Sequence, residues 1–519
     1  MSTIFSIAMS RVTKYVLFFG VTIDLHDPVS ITKLRSSAQE CWCWFRSQIP
    51  TIASSILNES DHKLPTLIYT TASPQEISQW AQRTLIIHPP SHIDLAQLRV
   101  NEGQKKVPSS DGDYTRMHLV PGEIVNGAVS KFGLLFHTHH SLFDGTGLKI
   151  VMNRYLTQLA KVLSDSYSGS EFVEWGNEFK NLPPAVYNIL NSKEALPIPP
   201  DSLEEPSFDH DYYKSLTAGV VSALGTTKDT YGFSARPKDT EWPKTRRAEV
   251  SFTREESERI LTASKISGFT ITHLAHAALA MVAIADNPPN LASSSHYLNS
   301  PSLANFRGRL DPKHVLHPGY AIAIFMTRIP VSAFLSPDGG VLPLDRDMLL
   351  QVADIAKEQY RTITELPAGL SCMPQVAEAF AMVTVPAASA NILPPDQCYS
   401  FSSDGRGENY LNPTFADDTG KPILSVNKFF TSLNRFDPGP FFRLSSWGGV
   451  VDLGADYNSN IVKTEDAMNY LNQWKRPCLY HLEPHEQHEL FLYIIVALLV
   501  SRASPQLSMK TPREYMIRR

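Results

Sequence analysis

The sequence lacks the long apolar and basic runs that mark membrane-spanning and nucleic-acid-binding proteins. Its most apolar stretch, "LFLYIIVALLV" at 490–500, has eleven residues, whereas a spanning helix needs roughly 20. The longest basic stretch is the short "KTRR" at 244–247, and the formal net charge is −5. We therefore expect a buried element at 490–500 rather than a membrane contact, and no nucleic-acid partner.

Cysteine is scarce as well. The chain has five cysteines, an odd number, with no CxxC pair and no zinc spacing. We interpret all five as free thiols in a reducing compartment, which predicts a cytoplasmic location. They are Cys41, Cys43, Cys372, Cys398 and Cys478. The apolar "YVLFFGVTI" near the N-terminus has no small-residue cleavage site after it and predicts a first strand.

What the sequence does contain is a mixture of strand and helix signals in both halves. Helix starts are indicated by Ser30, by the pair Ser73 and Glu76, and by the pair Thr253 and Glu256. Apolar content is 43%, enough for a large core. We predict a mixed α/β protein.

We predict a division of the chain into two parts of similar kind. An N-terminal subdomain covers 1–200, and a C-terminal subdomain covers 246–519. Between them, 201–245 is rich in Pro and acidic residues and predicts a crossover segment.

The most informative stretch is "LLFHTHHSLFDGTGLKIVM", residues 134–152, where three histidines lie between an apolar strand and an apolar helix. A metal site is one reading, since His-x-His is a ligand spacing. However, the two-metal hydrolase pattern HxHxDH would need Asp and His where Ser141 and Leu142 stand. No other region is dense in His, Asp and Glu, so we predict no metal.

Structural and catalytic roles remain for these histidines. We expect His137 and His139 singly to hydrogen-bond their neighbours, and we expect the same of His273 and His276 on an apolar helix. His140 leaves the strand close to an acidic helix start and could act as a general base, because imidazole exchanges protons near neutral pH. No G-x-S-x-G nucleophile elbow occurs. Such a base would activate a substrate hydroxyl or amine directly.

The run His139-His140-Ser141-Leu142-Phe143-Asp144-Gly145 matches HHxxxDG, and the chain thereby resembles the CoA-dependent acyltransferase superfamily. It is most similar to fungal condensation-like O-acetyltransferases of mycotoxin biosynthesis, the trichothecene 15-O-acetyltransferase type. The likeness extends in order through "LIYTTASPQEISQWAQRTL", "NFRGRL", "SSDG" and "LGADYNS". The plant DFGWG motif is absent, and "SSWGGVVDLG" occupies the comparable region.

The resemblance implies a fold and a set of site residues. Two chloramphenicol-acetyltransferase-like subdomains, each a mixed sheet backed by helices, would enclose a tunnel with the general base His140 at its middle. Asp144 would pair with an arginine of the second half, Arg307 first and Arg309 second. Gly145 would let the helix start lie close to the tunnel wall, and His139 would shape the turn.

The resemblance leaves the oxyanion donor open between a backbone N–H near Gly145 and a hydroxyl of Ser402 or Ser403. It implies acetyl-CoA as a co-substrate, with no bound cofactor, and a small-molecule alcohol of terpenoid or polyketide type as acceptor. We expect a monomer. The alternatives are a condensation-type enzyme with a carrier-bound acyl donor, a non-catalytic metabolite-binding relative and a metal hydrolase.

Overall fold

The computed structural model describes residues 16–57, 66–167, 169, 173–191, 214–215, 218, 229–237, 244–365, 369–371, 373, 399–435 and 439–480. The stretch 490–500, most of the crossover, Cys372 and Cys398 lie outside these residues. The other three cysteines are free thiols. No single described helix is long and apolar enough to cross a membrane, and one pair bent by 103° passes on length and composition alone.

The described strands run in chain order as follows: β1 Val16–Ser30, β2 Ser55–Leu57, β3 Thr66–Ile68, β4 Leu85–Ile87, β5 Thr115–Pro121, β6 Ala128–His139, β7 Thr230–Tyr231, β8 Thr245–Ser251, β9 Tyr297–Asn305, β10 Ile322–Pro330, β11 Ser400–Arg406, β12 Thr414–Ala416, β13 Pro422–Leu433, β14 Phe441–Trp447 and β15 Val450–Asn458. The described α-helices are α1 Ile31–Gln48, α2 Pro74–Thr84, α3 Leu95–Glu102, α4 Gly145–Leu163, α5 Arg254–Ile266, α6 Ile271–Asp286, α7 Arg346–Glu365 and α8 Thr464–Tyr480. The predicted mixed α/β class is confirmed.

The predicted helix starts are present because their side chains satisfy backbone N–H groups that the first turn leaves unpaired. Ser30 accepts from the N–H of Lys33 at the start of α1. Ser73 with Glu76 and Thr253 with Glu256 each form a complete capping box, at α2 and α5. Local sequence therefore determines where these helices begin.

The sheet of the first half includes strands from the second half. Its order is β12-β13-β1-β6-β5-β4, and β1 pairs antiparallel with both β6 and β13. β12 and β13 belong to the predicted C-terminal part, so the division at 201–245 is not a division between sheets. α1 and α4 pack on this sheet around the buried side chains of Trp42, Phe136 and Tyr155.

The second half has two sheets, ordered β11-β14-β15-β8 and β10-β9-β7. Their core contains most of α6, which is buried from Leu274 to Ile284 because nearly every residue there is apolar. Trp474 of α8 lies in the same core, and its indole N–H donates to the Ala275 carbonyl at 2.7 Å.

A buried arginine on α3 joins the two halves. The guanidinium of Arg99 donates to the Ser432 hydroxyl at 2.7 Å and to the carbonyls of Thr245 at 2.8 Å and Leu433 at 2.6 Å. Burial lowers the pKa of Arg99 to about 10, and Asp456 opposes that shift. The side chain therefore stays charged at neutral pH and needs all of these acceptors.

We expect Arg99→Met to lower the free energy of unfolding by about 3 kcal/mol or more. The substitution removes the guanidinium and leaves its buried acceptors without a donor. The measurement is urea unfolding followed by tryptophan fluorescence. The control is Arg83→Met, which breaks the pair with Asp113 at a position where Arg83 is 42% exposed. That change should cost under about 1 kcal/mol. Equal losses in the two variants would contradict the role given to Arg99.

Candidate active site

The HHxxxDG run forms a tight turn from β6 into α4. β6 ends at His139, whose N–H donates to the Tyr114 carbonyl at 2.9 Å. The N–H of Leu142 then donates to the His139 carbonyl at 3.1 Å and closes the turn. Leu142 and Phe143 are buried in the core, which fixes the turn from below. His140 is thus the residue that leaves the sheet.

His140 has one ring nitrogen held by the backbone. Its Nδ1 lies 2.9 Å from the Phe143 carbonyl oxygen. A carbonyl only accepts, so Nδ1 carries the proton and Nε2 keeps its lone pair. The ring lies deep in the protein but remains partly exposed. Burial lowers the pKa of His140, opposed by the hydrogen bond to Phe143. The ring is therefore neutral at pH 7 and able to take a proton.

His139 is held differently. Its Nδ1 lies 2.6 Å from the Ser141 hydroxyl and accepts the Ser141 N–H at 3.3 Å. Burial and the neighbouring His140 lower the pKa of His139 to about 4. These contacts lie within the turn, which agrees with the expectation that His139 shapes it.

Asp144 is fully buried at the N-cap of α4. Its Oδ1 accepts the Gly147 N–H at 2.6 Å and the Arg307 guanidinium at 2.9 Å, and its Oδ2 accepts the Ala321 N–H at 2.9 Å. The carboxylate therefore faces the helix start and the second half of the chain.

Arg307 is the predicted partner of Asp144, and the structure brings the two together at 2.9 Å. Arg307 is 2% exposed and also donates to the carbonyls of His317 at 3.0 Å and Gly319 at 2.7 Å. The second candidate, Arg309, donates to the Thr364 carbonyl on α7. One buried ion pair thus fastens the 317–321 loop to the start of α4.

The same loop brings an aromatic ring to His140. The ring of Tyr320 lies 5.6 Å from that of His140, measured between centroids. His317 holds the loop from the other side, because its Nε2 lies 2.9 Å from the Pro184 carbonyl of the first half. Sequence reasoning missed both residues, since nothing local marks 317–321 as a wall of the site.

Of the two glycines that follow Asp144, Gly147 is the crowded one. A Cβ at Gly145 would meet only the Thr431 methyl, at 3.7 Å. A Cβ at Gly147 would lie 2.0 Å from the Pro318 carbonyl oxygen. Gly147 is required because the 317–321 loop crosses directly over it, whereas a Cβ at Gly145 would make only an ordinary van der Waals contact.

A buried lysine on α4 was also missed. Lys149 is 1% exposed and donates to the Asp404 carbonyl at 2.8 Å. The Asp404 carboxylate in turn accepts from the Ser402 hydroxyl at 3.1 Å and from Arg443 at 3.2 Å. A lone lysine inside an otherwise apolar helical stripe was the available signal. This network ties the "SSDG" segment to the helix that follows the motif.

The two candidate oxyanion hydroxyls are both engaged elsewhere. Ser402 donates to Asp404, and the Ser403 hydroxyl lies 2.8 Å from that of Thr272. A donor on the α4 backbone is accordingly favoured over either serine.

A cleft of about 190 Å³ is lined by residues of both halves, and His140 is not one of them. Its lining includes Arg154 of α4 together with His317 and Pro318. It adjoins the loop that Arg307 holds, so it belongs to the seam between the halves and not to the reacting side of the turn.

The remaining histidines differ in whether their ring nitrogens have a hydrogen-bond partner. His273 accepts the Thr270 N–H at 3.2 Å, and His276 Nδ1 lies 3.1 Å from the Tyr360 hydroxyl, as expected of structural residues. His137 was predicted wrongly: neither ring nitrogen has a hydrogen-bond partner within the part of the chain that the structure describes. It lies instead in a cluster with Glu102 and His118, which the sequence did not reveal.

Comparison with known proteins agrees with this geometry. Residues 116–323 match the family model described as 15-O-acetyltransferase Tri3. The trichothecene O-acetyltransferase TRI3 of Trichoderma arundinaceum is 24% identical over 481 residues, covering 86% of each chain. The predicted resemblance is confirmed. The Fusarium sporotrichioides trichothecene 15-O-acetyltransferase TRI3 is 24% identical over 353 residues, covering 65% of this chain and 63% of that one.

Solved structures support the same fold. The Fusarium sporotrichioides TRI3 structure matches with a TM-score of 0.76 at 18% identity, covering 92% of this chain and 94% of that one. The first condensation domain of the CDA synthetase matches with a TM-score of 0.55 at 13% identity, covering 93% and 95%. The chain is thus similar to Tri3 acetyltransferases and has a condensation-like fold, and the predicted enzyme class, an acetyltransferase of secondary metabolism, is confirmed.

Gly145 and Gly147, at the start of α4, give a test of the turn. Gly147→Ala should lower the free energy of unfolding by about 1–3 kcal/mol, because its methyl group would force the 317–321 loop away. Gly145→Ala should change it by under about 0.5 kcal/mol. Urea unfolding of the two purified variants makes the comparison. A larger loss for Gly145→Ala than for Gly147→Ala would contradict the assigned crowding.

Proposed function

We propose that this chain transfers an acetyl group from acetyl-CoA to a hydroxyl of a trichothecene-like terpenoid, with His140 as the general base. The observation that carries the proposal is the bond from His140 Nδ1 to the Phe143 carbonyl, which leaves Nε2 as the basic nitrogen of a neutral ring. The acceptor class is taken from the names of the trichothecene O-acetyltransferases that the chain resembles.

The transfer needs one proton acceptor and no protein nucleophile. His140 Nε2 takes the proton of the acceptor hydroxyl as its oxygen attacks the thioester carbonyl carbon. The C–S bond of the tetrahedral intermediate then breaks, and the imidazolium returns the proton to the leaving CoA thiolate. Holding both substrates beside one base supplies much of the rate, and general base action adds about 10²–10⁴-fold.

The start of α4 supplies the oxyanion donor in this proposal. The first N–H groups of a helix have no partner within the helix, and Asp144 accepts the one at Gly147. We assign the remaining donor role to the N–H of Gly145, the first residue of α4. The helix dipole adds to the stabilisation of negative charge there.

Asp144 and Arg307 serve as positioning residues. Both are buried and bonded to each other, so neither is available to exchange protons with a substrate. Their contact keeps Tyr320 beside His140 and holds the two halves around the reacting atoms. A single chain provides all of these groups, which is why we propose a monomer. The free thiols Cys41, Cys43 and Cys478 accord with a cytoplasmic location.

We expect His140→Ala to lower kcat for acetyl transfer by about 10²–10⁴-fold, because the general base is removed. The measurement is labelled acetyl-CoA with a panel of trichothecene and other terpenoid alcohols. The control is His92→Ala, which removes an exposed imidazole outside the turn and should keep full activity.

Two results would count against the proposal. Full activity of His140→Ala would remove the base assignment. Transfer from an acyl-carrier protein but not from acetyl-CoA would replace the donor and leave a condensation-type enzyme. Unchanged thermal unfolding of His140→Ala shows that any loss of activity is chemical.

The pH dependence follows from the lowered pKa of His140. A general base works when it is deprotonated, so kcat/KM should stay level down to about pH 6.5 and decline only below it. The measurement is the pH profile of kcat/KM, with the residual activity of His140→Gln as the control that should lack this decline. A decline centred well above pH 6.5 would contradict a desolvated imidazole as the base.

A further inference from the structure

Three buried side chains with metal-binding atoms meet away from the turn. Glu102 closes α3, His118 lies on β5 and His137 lies on β6. They are 3%, 0% and 1% exposed. Each offers a ligand atom within 4.8 Å of the others, and His118 Nε2 lies 3.6 Å from Glu102 Oε2. Separate elements thus converge on one point.

The atoms that converge there form no hydrogen bond with the described residues. Glu102 Oε2, His118 Nε2 and both ring nitrogens of His137 lack a hydrogen-bond partner among the residues that the structure describes. Buried polar atoms are almost always paired. Burial lowers the pKa of His118 to about 3 and that of His137 well below its usual value. An oxygen of Glu102 and ring nitrogens of both histidines thus surround one buried point without a described hydrogen-bond partner, and a cation there would pair them.

We propose that Glu102, His118 and His137 bind one zinc ion. Two imidazoles with one carboxylate form a ligand set that zinc prefers, whereas magnesium and calcium favour oxygen ligands alone. A water molecule completes four-coordination. Side-chain shifts would bring each ligand atom from these separations to the roughly 2.0–2.2 Å of a zinc bond.

The surroundings orient these ligands. His118 Nδ1 lies 3.1 Å from His88 Nε2, so a proton on Nδ1 leaves the other nitrogen of His118 for the ion. Lys105 bonds the second carboxylate oxygen of Glu102 at 2.7 Å and leaves Oε2 for the ion. Outer partners of this kind fix tautomer and direction at metal sites. Lys105 itself is half-exposed.

The ion has a structural role in this proposal. It would connect α3, β5 and β6, the last of which ends in His139 and the turn. Arg116, Arg99 and Lys105 also lie close enough to lower the pKa of His137. These cations oppose a dication, so Glu102 is the ligand whose charge matters most.

The test uses the full chain. Protein treated with a chelator and dialysed is titrated with Zn²⁺, and bound metal is measured by mass spectrometry of the elements together with the melting temperature. One zinc per chain and a raised melting temperature are expected. Glu102→Gln and His118→Asn should lower zinc affinity by tenfold or more, since changes even outside the ligand shell cost 10–100-fold. His140→Ala and the exposed His92→Ala should bind as the unaltered chain does.

The zinc titration decides whether these three side chains form a metal site. The proposal is overturned if the unaltered chain takes up no zinc, or if the two ligand variants bind zinc as tightly as the unaltered chain does. Loss of uptake in His140→Ala would also overturn it, because the ion would then lie at the HHxxxDG turn. If a ligand variant does not fold, His88→Ala replaces it, and unchanged zinc affinity in that variant counts against the proposal. Acetyl transfer is not a readout, so failure here leaves the proposed function standing.

Discussion

The buried ion pair between Asp144 and Arg307 is the constraint on which the site depends. Removing two charges from water costs several kcal/mol for each ion, and neither residue has more than 2% of its surface exposed. The pair is tolerated because backbone groups around it satisfy both charges. Asp144 accepts N–H groups of Gly147 and Ala321, and Arg307 donates to the carbonyls of His317 and Gly319. These partners lie on both halves of the chain, so the charges are satisfied only when the halves are closed on each other.

Closure then determines the environment of His140. The loop that Arg307 holds brings Tyr320 beside the imidazole and presses the Pro318 carbonyl against α4, where only a glycine fits. The strands β12 and β13 of the second half pair into the first-half sheet beside β1, so the sheet also connects the two halves. Burial of His140 in this arrangement lowers the pKa of its ring. The ion pair acts on the surroundings of His140 through the 317–321 loop.

The sequence predicted those features whose causes are local or carried by a motif. Caps at Ser30, Ser73 and Thr253 depend on residues three positions apart, and the Asp144–Arg307 pair came from a family resemblance. The rest depends on pairing between distant segments. Arg116 is opposite His137 and His118 is opposite Leu135 in the β5–β6 register, which puts His118 and His137 on one face of neighbouring strands. That register cannot be read from either strand by itself. The need for Gly147 likewise arises from Pro318, far away in the chain.

The histidines around β6 show how one physical effect leads to different outcomes. Burial lowers the pKa of His118, His137, His139 and His140 alike. What distinguishes them is the partner at the ring nitrogens. His139 bonds within its turn and is thereby structural, and His140 bonds a carbonyl by Nδ1 and keeps a basic Nε2. His137 has no described partner and faces Glu102 and His118. Because a neutral imidazole can hold a turn, accept a proton or bind a metal, its role is decided by which lone pair the fold leaves unoccupied.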